Sequence, residues 1–300
     1  MKKNILKLYY IVLDVLEFLI KVYNFIMSFF RKQLNVKNAD ETIDMLLSGN
    51  FSLSRFGDGE IGMLNGGSII FQENSKELTL KLQQVLNDND LPNHITGLPY
   101  VYVNNSIFRE DAKRYVRKFL LKKSHIIYKC INRSKIYYDS CVTRLYADIE
   151  DRSKARSQFE KIKQIWVNKS ILIIEGEKSR LGIGSDFFSK TSSIRRIIAP
   201  SFNAFNKYEE ILDIAKKSWN QDEIVIIALG PTATILAYDL AKLGIRALDF
   251  GHIDVEYEWC ISNATYKQPL KYKYFGDDSF EPTAELLDDE YEKSIICKII

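Results

Sequence analysis

Asp58 and Glu60 stand two residues apart in the stretch Arg55-Phe56-Gly57-Asp58-Gly59-Glu60. In extended backbone, side chains at i and i+2 share a face, so this spacing predicts two converging carboxylates. Two hard oxygen donors that leave other positions free suit Mg²⁺ or Mn²⁺, which completes its shell with water and substrate phosphate. Gly57 and Gly59 allow a sharp turn and the close approach of a ligand. Arg55 adds a planar cation whose donors match phosphate oxygens. Gly-Asp-Gly is also ordinary surface-turn chemistry, and the motif alone leaves both readings open.

Three further stretches carry candidate groups, and each has a purely structural alternative. Glu175-Gly176-Glu177-Lys178-Ser179-Arg180-Leu181-Gly182-Ile183-Gly184 combines glycines, cations and carboxylates, with Glu177, Arg180, Gly182 and Gly184 as pocket candidates. Gly230-Pro231-Thr232-Ala233-Thr234 reads as a helix start whose free N–H groups, with the Thr232 and Thr234 hydroxyls, suit an anion. A well-capped structural helix has the same pattern. Gly251-His252-Ile253-Asp254-Val255-Glu256-Tyr257-Glu258-Trp259 repeats the carboxylate spacing beside a histidine and two rings. Such rings stack on bases or sugars, and Asp254 or Glu256 could bond hydroxyls or take a proton; a buried Trp with a solvated acidic edge is the alternative. No GxGxxG fingerprint or P-loop occurs, so neither dinucleotide binding nor ATP hydrolysis is indicated.

These groups need elements to hold them. Ser170–Ile174, Ile194–Ala199, Glu223–Leu229 and Arg246–Phe250 are short β-branched runs, separated by helical segments at Asn206–Ser218 and Thr232–Leu243. That alternation predicts an α/β fold, a mostly parallel sheet with helices on both faces. In such sheets ligands sit beyond the carboxyl ends of the strands, where the candidate loops fall. Upstream, a helix capped near Asn38, a strand at Phe51–Phe56, a helix begun by Asn74 and Glu77, and a short strand at Ile95–Pro99 are expected. A basic helix over Phe108–Lys123, a strand at Lys135–Asp139 and a helix over Ser153–Trp166 follow, and Glu281–Glu292 reads as a last helix. The basic helix is either a solvated face or an attractor of anionic substrate.

Residues 4–30 are strongly apolar, but Asp14, Glu17, Lys21, Asn24 and Ser28 recur at spacings that draw one narrow polar stripe along a helix. Central charges cost about 2.5–3.5 kcal/mol each on insertion, and no signal-peptide cleavage pattern follows. An N-terminal amphipathic helix over residues 1–33 is therefore expected, packed on protein, on another subunit, or against a membrane surface. Residues 34–300 read as a single domain without repeats or linkers.

Bulk composition narrows the classes. Of 300 residues, 46% are hydrophobic and 27% charged, values of a folded globular chain. The net charge of +3 lacks the basic surplus of a nucleic-acid binder. Four scattered cysteines and three histidines give no disulfide framework or zinc pattern and suit a reducing cytoplasm, with the inner face of a membrane as the variant the N-terminal helix allows.

The four blocks, in this order, resemble the bacterial glycosyltransferases of the GT-D fold, which include enzymes of adhesin glycosylation and relatives near surface-polysaccharide genes. The resemblance covers about residues 38–265. It implies a Rossmann-like nucleotide-sugar domain, a metal-binding Asp-x-Glu motif carried by Asp58 and Glu60, and Mn²⁺ or Mg²⁺ as cofactor. It further implies transfer of a hexose from a nucleoside diphosphate sugar, UDP-glucose first, to a glycan or glycoprotein acceptor. Arg55 and Gly57 would then face the diphosphate, the loops at Arg180–Gly184 and Gly230–Thr234 would flank the donor with His252 and Glu256, and Glu177 or Asp254 would serve as base. Competing expectations are a metal-dependent hydrolase of nucleotides or phosphate esters and a non-catalytic membrane-associated partner.

Overall fold

The computed structural model describes residues 34–273 and 288–299, with Val15, Phe18, Leu19 and Val22 as isolated positions before them. Those four are helical and exposed. The remainder of the expected N-terminal helix, and of the expected helix from Glu281 as far as residue 287, lies outside the described residues. No helix among the described residues is long and apolar enough to cross a membrane.

Among the described residues, eight strands form one sheet in the order β3-β2-β1-β7-β6-β4-β5-β8. They are β1 (Ser52–Arg55), β2 (His94–Leu98), β3 (Tyr138–Asp139), β4 (Ser170–Gly176), β5 (Ser193–Ala199), β6 (Ile224–Ala228), β7 (Ala247–Asp249) and β8 (Ile295–Lys298). Every pairing is parallel. The expectation of a mostly parallel sheet is thus met in full.

The apolar runs explain the layering. In β4, Ile171 and Ile173 join one hydrophobic cluster while Leu172 and Ile174 join the other, so both faces are covered. Helices α3 (Lys76–Asn87), α6 (Tyr208–Ser218) and α7 (Pro231–Lys242) pack on one face, and α1 (Ala39–Ser48), α5 (Ala155–Lys163) and α8 (Ile253–Ile261) on the other. The short α2 (Asp58–Met63) and the long α4 (Glu110–Cys130) complete the first layer, and α9 (Asp289–Ser294) precedes β8.

Local signals account for most starts. Asn38 caps α1 in a capping box with Glu41, as expected. Helix α3 is capped by Ser75, whose Oγ accepts from Leu78 N–H at 3.0 Å, and not by Asn74. Asn74 Nδ2 instead donates to Met63 O at 2.9 Å. Helix α5, expected from Ser153, begins at Ala155 without a side-chain cap. The stretch after β7, read as a loop, is helix α8, buried on most sides. Its Asp254 and Glu256 therefore point to different partners instead of sharing a face.

Candidate active site

The order of the sheet makes a crevice. The chain leaves β1 for helices on one face, while from β7 it enters α8 on the other, so the loops beyond these two adjacent strands diverge. The ladder between them is a single register pair, Leu53 with Leu248. Beyond it, side chains take over. Arg55 N–H donates to Asp249 Oδ2 at 3.2 Å, and the Arg55 guanidinium donates to Asp249 Oδ1 at 3.0 Å and to Asp249 O at 2.5 Å. Its other arm reaches Ser140 O at 3.2 Å and Thr143 Oγ1 at 2.7 Å. Arg55 is thus a brace between β1, β7 and the turn after β3, not a cation held free for a ligand. Gly251 keeps room for it: its φ is +51°, and a Cβ there would lie 2.7 Å from Arg55 Nη2.

Asp58 and Glu60 lie in the first turn of α2, not in extended backbone. Helical i and i+2 side chains diverge, but Glu60 folds back so that its Oε2 accepts from Gly57 N–H at 2.8 Å. Both carboxylates thereby sit at the same end of the helix. Asp58 is exposed, and its Oδ2 accepts from Tyr115 of α4. Burial, with the like charges of Asp249 and Asp58, pushes the Glu60 carboxyl up to about 7. Asp58 and Glu60 thus lie together at this end of α2, and each carboxylate keeps one oxygen free of hydrogen bonds within the described residues. That donor set fits a hard divalent cation. Among the described residues no group of three or more His, Cys, Asp or Glu side chains could hold one alone, so further ligands would have to come from water or substrate.

The other candidates divide between crevice and frame. Gly230 opens α7 at φ +53°, with Phe71 so close that a Cβ would meet its ring at 2.5 Å. Thr234 Oγ1 donates to Arg55 O at 2.9 Å, and Thr232 is fully buried with its hydroxyl unpartnered among the described residues. Glu256 Oε2 accepts from Tyr146 N–H at 3.1 Å and Ala147 N–H at 2.9 Å. Asp254 is buried, accepting from Gly182 N–H at 2.5 Å and from the buried Lys273. It ties the glycine loop after β4 to α8. Gly182 and Gly184 both have positive φ, and Arg180 donates to Tyr272 O at 3.1 Å. Glu177 is exposed in the turn after β4. Glu175, in the same block, is buried against Arg196.

Sequence reasoning passed over Asp249, Tyr115 and Arg144. Asp249 had a signal, a lone acid ending an apolar strand; Tyr115 and Arg144 are placed by tertiary structure alone.

The sequence profile of the glycosyltransferase GT-D fold matches residues 53–278. The chain belongs to this family. GT-D relatives include "Glycosyltransferase GlyD" of Streptococcus pneumoniae serotype 4 and "Probable glycosyl transferase Gly" of Streptococcus gordonii. Each is 36% identical over 270 residues, 89% of this chain. The matched region makes up 33% and 39% of those relatives, so the chain spans little more than a third of their length. Among solved structures, the domain of unknown function 1792, described as having a distinct glycosyltransferase fold, superposes with a TM-score of 0.84 at 34% identity, over 89% of this chain and 96% of that one. A glycosyltransferase of the same domain class from Streptococcus sanguinis gives 0.83 at 33% identity, over 89% and 100%. As a member of this family, the chain carries the glycosyltransferase GT-D fold.

Two half-buried histidines are His94, the first residue of β2, and His252, just before α8. His94 Nε2 lies 2.8 Å from Ser54 Oγ, and since Ser54 already donates to Thr234 O at 2.6 Å, the ring nitrogen is the donor. Burial first, then Lys135, lowers the His94 pKa to about 3; burial, then Lys273, Arg144 and Arg55, do the same to His252. Both folded values fall below the free value of 6.5, so the stability from neutral rings is complete above 6.5 and is lost as pH falls towards 3. In NMR titration, the Cε1–H shifts of both should stay constant from about pH 8 to about pH 5. A midpoint near 6.5 for either would contradict this environment.

Proposed function

We propose that this glycosyltransferase moves a hexose from a nucleoside diphosphate sugar, UDP-glucose being the first donor to test, to a glycan or glycoprotein acceptor with the help of Mn²⁺ or Mg²⁺. What supports the reading is the carboxylate pair Asp58 and Glu60, both in the first turn of α2 and standing where the loops of β1 and β7 part. Asp58 and Glu60 would hold the cation. When bound, it would supply positive charge to the departing diphosphate. In the transfer, the bond between sugar C1 and the diphosphate oxygen breaks with its electron pair going to the diphosphate. The acceptor hydroxyl oxygen forms the new bond to C1 and gives its proton to a base.

For that base, Glu177 has the exposure to meet an acceptor, whereas Asp254 is sealed against Lys273 and suits the anchoring of the Gly182 loop. The N-terminal helix remains the candidate for contact with a membrane or a second subunit, resting on the exposed apolar positions Val15, Phe18, Leu19 and Val22.

The experiment is a donor panel with Mn²⁺, reading nucleoside diphosphate release with and without glycan acceptors. Release that needs both one sugar donor and an acceptor is expected. Equal release without acceptor, or from simple phosphate esters, would favour a hydrolase instead.

A further inference from the structure

The turn after β3 is held in place by charged groups from three sides. Asp139 Oδ1 accepts from Cys141 N–H at 2.9 Å. Arg55 donates to Ser140 O at 3.2 Å and Thr143 Oγ1 at 2.7 Å. Just downstream, Glu256 accepts from the N–H groups of Tyr146 and Ala147 at 3.1 and 2.9 Å. All three clamping side chains are mostly or fully buried, and between their grips lies Arg144.

Arg144 itself is exposed, and its guanidinium makes no hydrogen bond or ion pair among the described residues. It is nevertheless ringed by protein. Loss of water disfavours its charge, but Glu256, Cys141, Asp148 and Asp58 act on it from several elements and more than offset this. Arg144 in turn acts on Tyr115 of α4 and on His252 at the start of α8. The clamp sets Arg144 directly after Thr143, which Arg55 holds at 2.7 Å, and Arg55 lies in the stretch that leads from β1 into Asp58.

We propose that Arg144 is the diphosphate-binding residue of the crevice, its planar fork taking two non-bridging oxygens of the donor, with Arg55 and Glu256 as positioning residues that fix its backbone. This rests on the nucleotide-sugar reading and moves the anion contact from Arg55, whose guanidinium is committed to Asp249, Ser140 and Thr143.

The test is calorimetric titration of inorganic pyrophosphate, UDP and uridine, in Mg²⁺ buffer, into wild type, Arg144→Gln, Arg144→Lys and the control Lys118→Gln from the exposed face of α4. Arg144→Gln should weaken pyrophosphate and UDP by about 10- to 100-fold, the scale of hydrogen bonds to charged groups, and leave uridine unchanged. Arg144→Lys should recover part of the loss. Thermal unfolding should change little, because the side chain is exposed and makes no hydrogen bond among the described residues. Equal pyrophosphate binding by wild type and Arg144→Gln overturns the assignment, as does no pyrophosphate binding by wild type or an equal loss in Lys118→Gln. Pyrophosphate binding that depends on Arg144, in a wild type that binds neither UDP nor uridine, upholds Arg144 and overturns the nucleotide-sugar reading.

Discussion

Replacing Asp58 by Asn is expected to lower the transfer rate on the order of 10³-fold or more, equivalent to about 4 kcal/mol of transition-state stabilisation. The substitution keeps the shape of the side chain and an oxygen to accept from Tyr115, so what is removed is charge at an exposed position. Unfolding should therefore stay close to wild type. Glu60→Gln makes the complementary case. A glutamine oxygen can still accept from Gly57 N–H, which preserves the helix start. It also relieves a carboxylate that burial and two like charges already oppose. This variant should lose activity while being no less stable than wild type without metal, the pairing expected of a group kept for function at a cost to the fold. Turnover with a nucleotide sugar and Mn²⁺, beside urea unfolding of the same preparations, checks both. Wild-type turnover in either variant would remove Asp58 and Glu60 from the mechanism.

The largest effect on stability is expected at Glu175. Its carboxylate is fully buried, bonded to Arg196 at 2.5 Å and to Leu181 N–H at 2.6 Å, while Arg196 also donates to Leu181 O at 2.9 Å. The pair fastens the loop after β4 to β5. Glu175→Ala leaves a buried guanidinium without its counter-charge and a backbone N–H without its acceptor, and should cost about 3–5 kcal/mol. Replacing both partners by apolar residues, Glu175→Leu with Arg196→Met, should recover much of that, because no charge is then left stranded. The midpoint of urea unfolding measures each step. A double variant as unstable as Glu175→Ala would mean that the loop contacts to Leu181, and not the ion pair, carry the effect.

The same residues explain what could be read from sequence. The parallel core was legible because β4 and β6 are buried on both faces, which forces continuous apolar runs that no half-exposed strand needs. Helix α8 was not, because a helix buried nearly all round loses its amphipathic period, and its two acids at i and i+2 imitate a loop. Strand β3 is two residues long and β8 an edge strand with alternating burial, so neither rises above local noise. Spacing in extended backbone predicts that Asp58 and Glu60 converge, whereas a helix turn and a capping contact bring them to the same end of α2. Arg55 was assigned to a ligand because its partner, Asp249, is 194 positions away and invisible to local pattern. Arg144 left no trace at all, since its standing comes from the backbone held around it.

The most direct measurement of the central claim is calorimetric titration of UDP-glucose into wild type and Asp58→Asn, each with Mn²⁺ and with EDTA. Saturable binding by wild type that requires Mn²⁺ and disappears in Asp58→Asn is the predicted result. Equal binding in all four conditions would contradict a donor site built on Asp58 and a divalent cation.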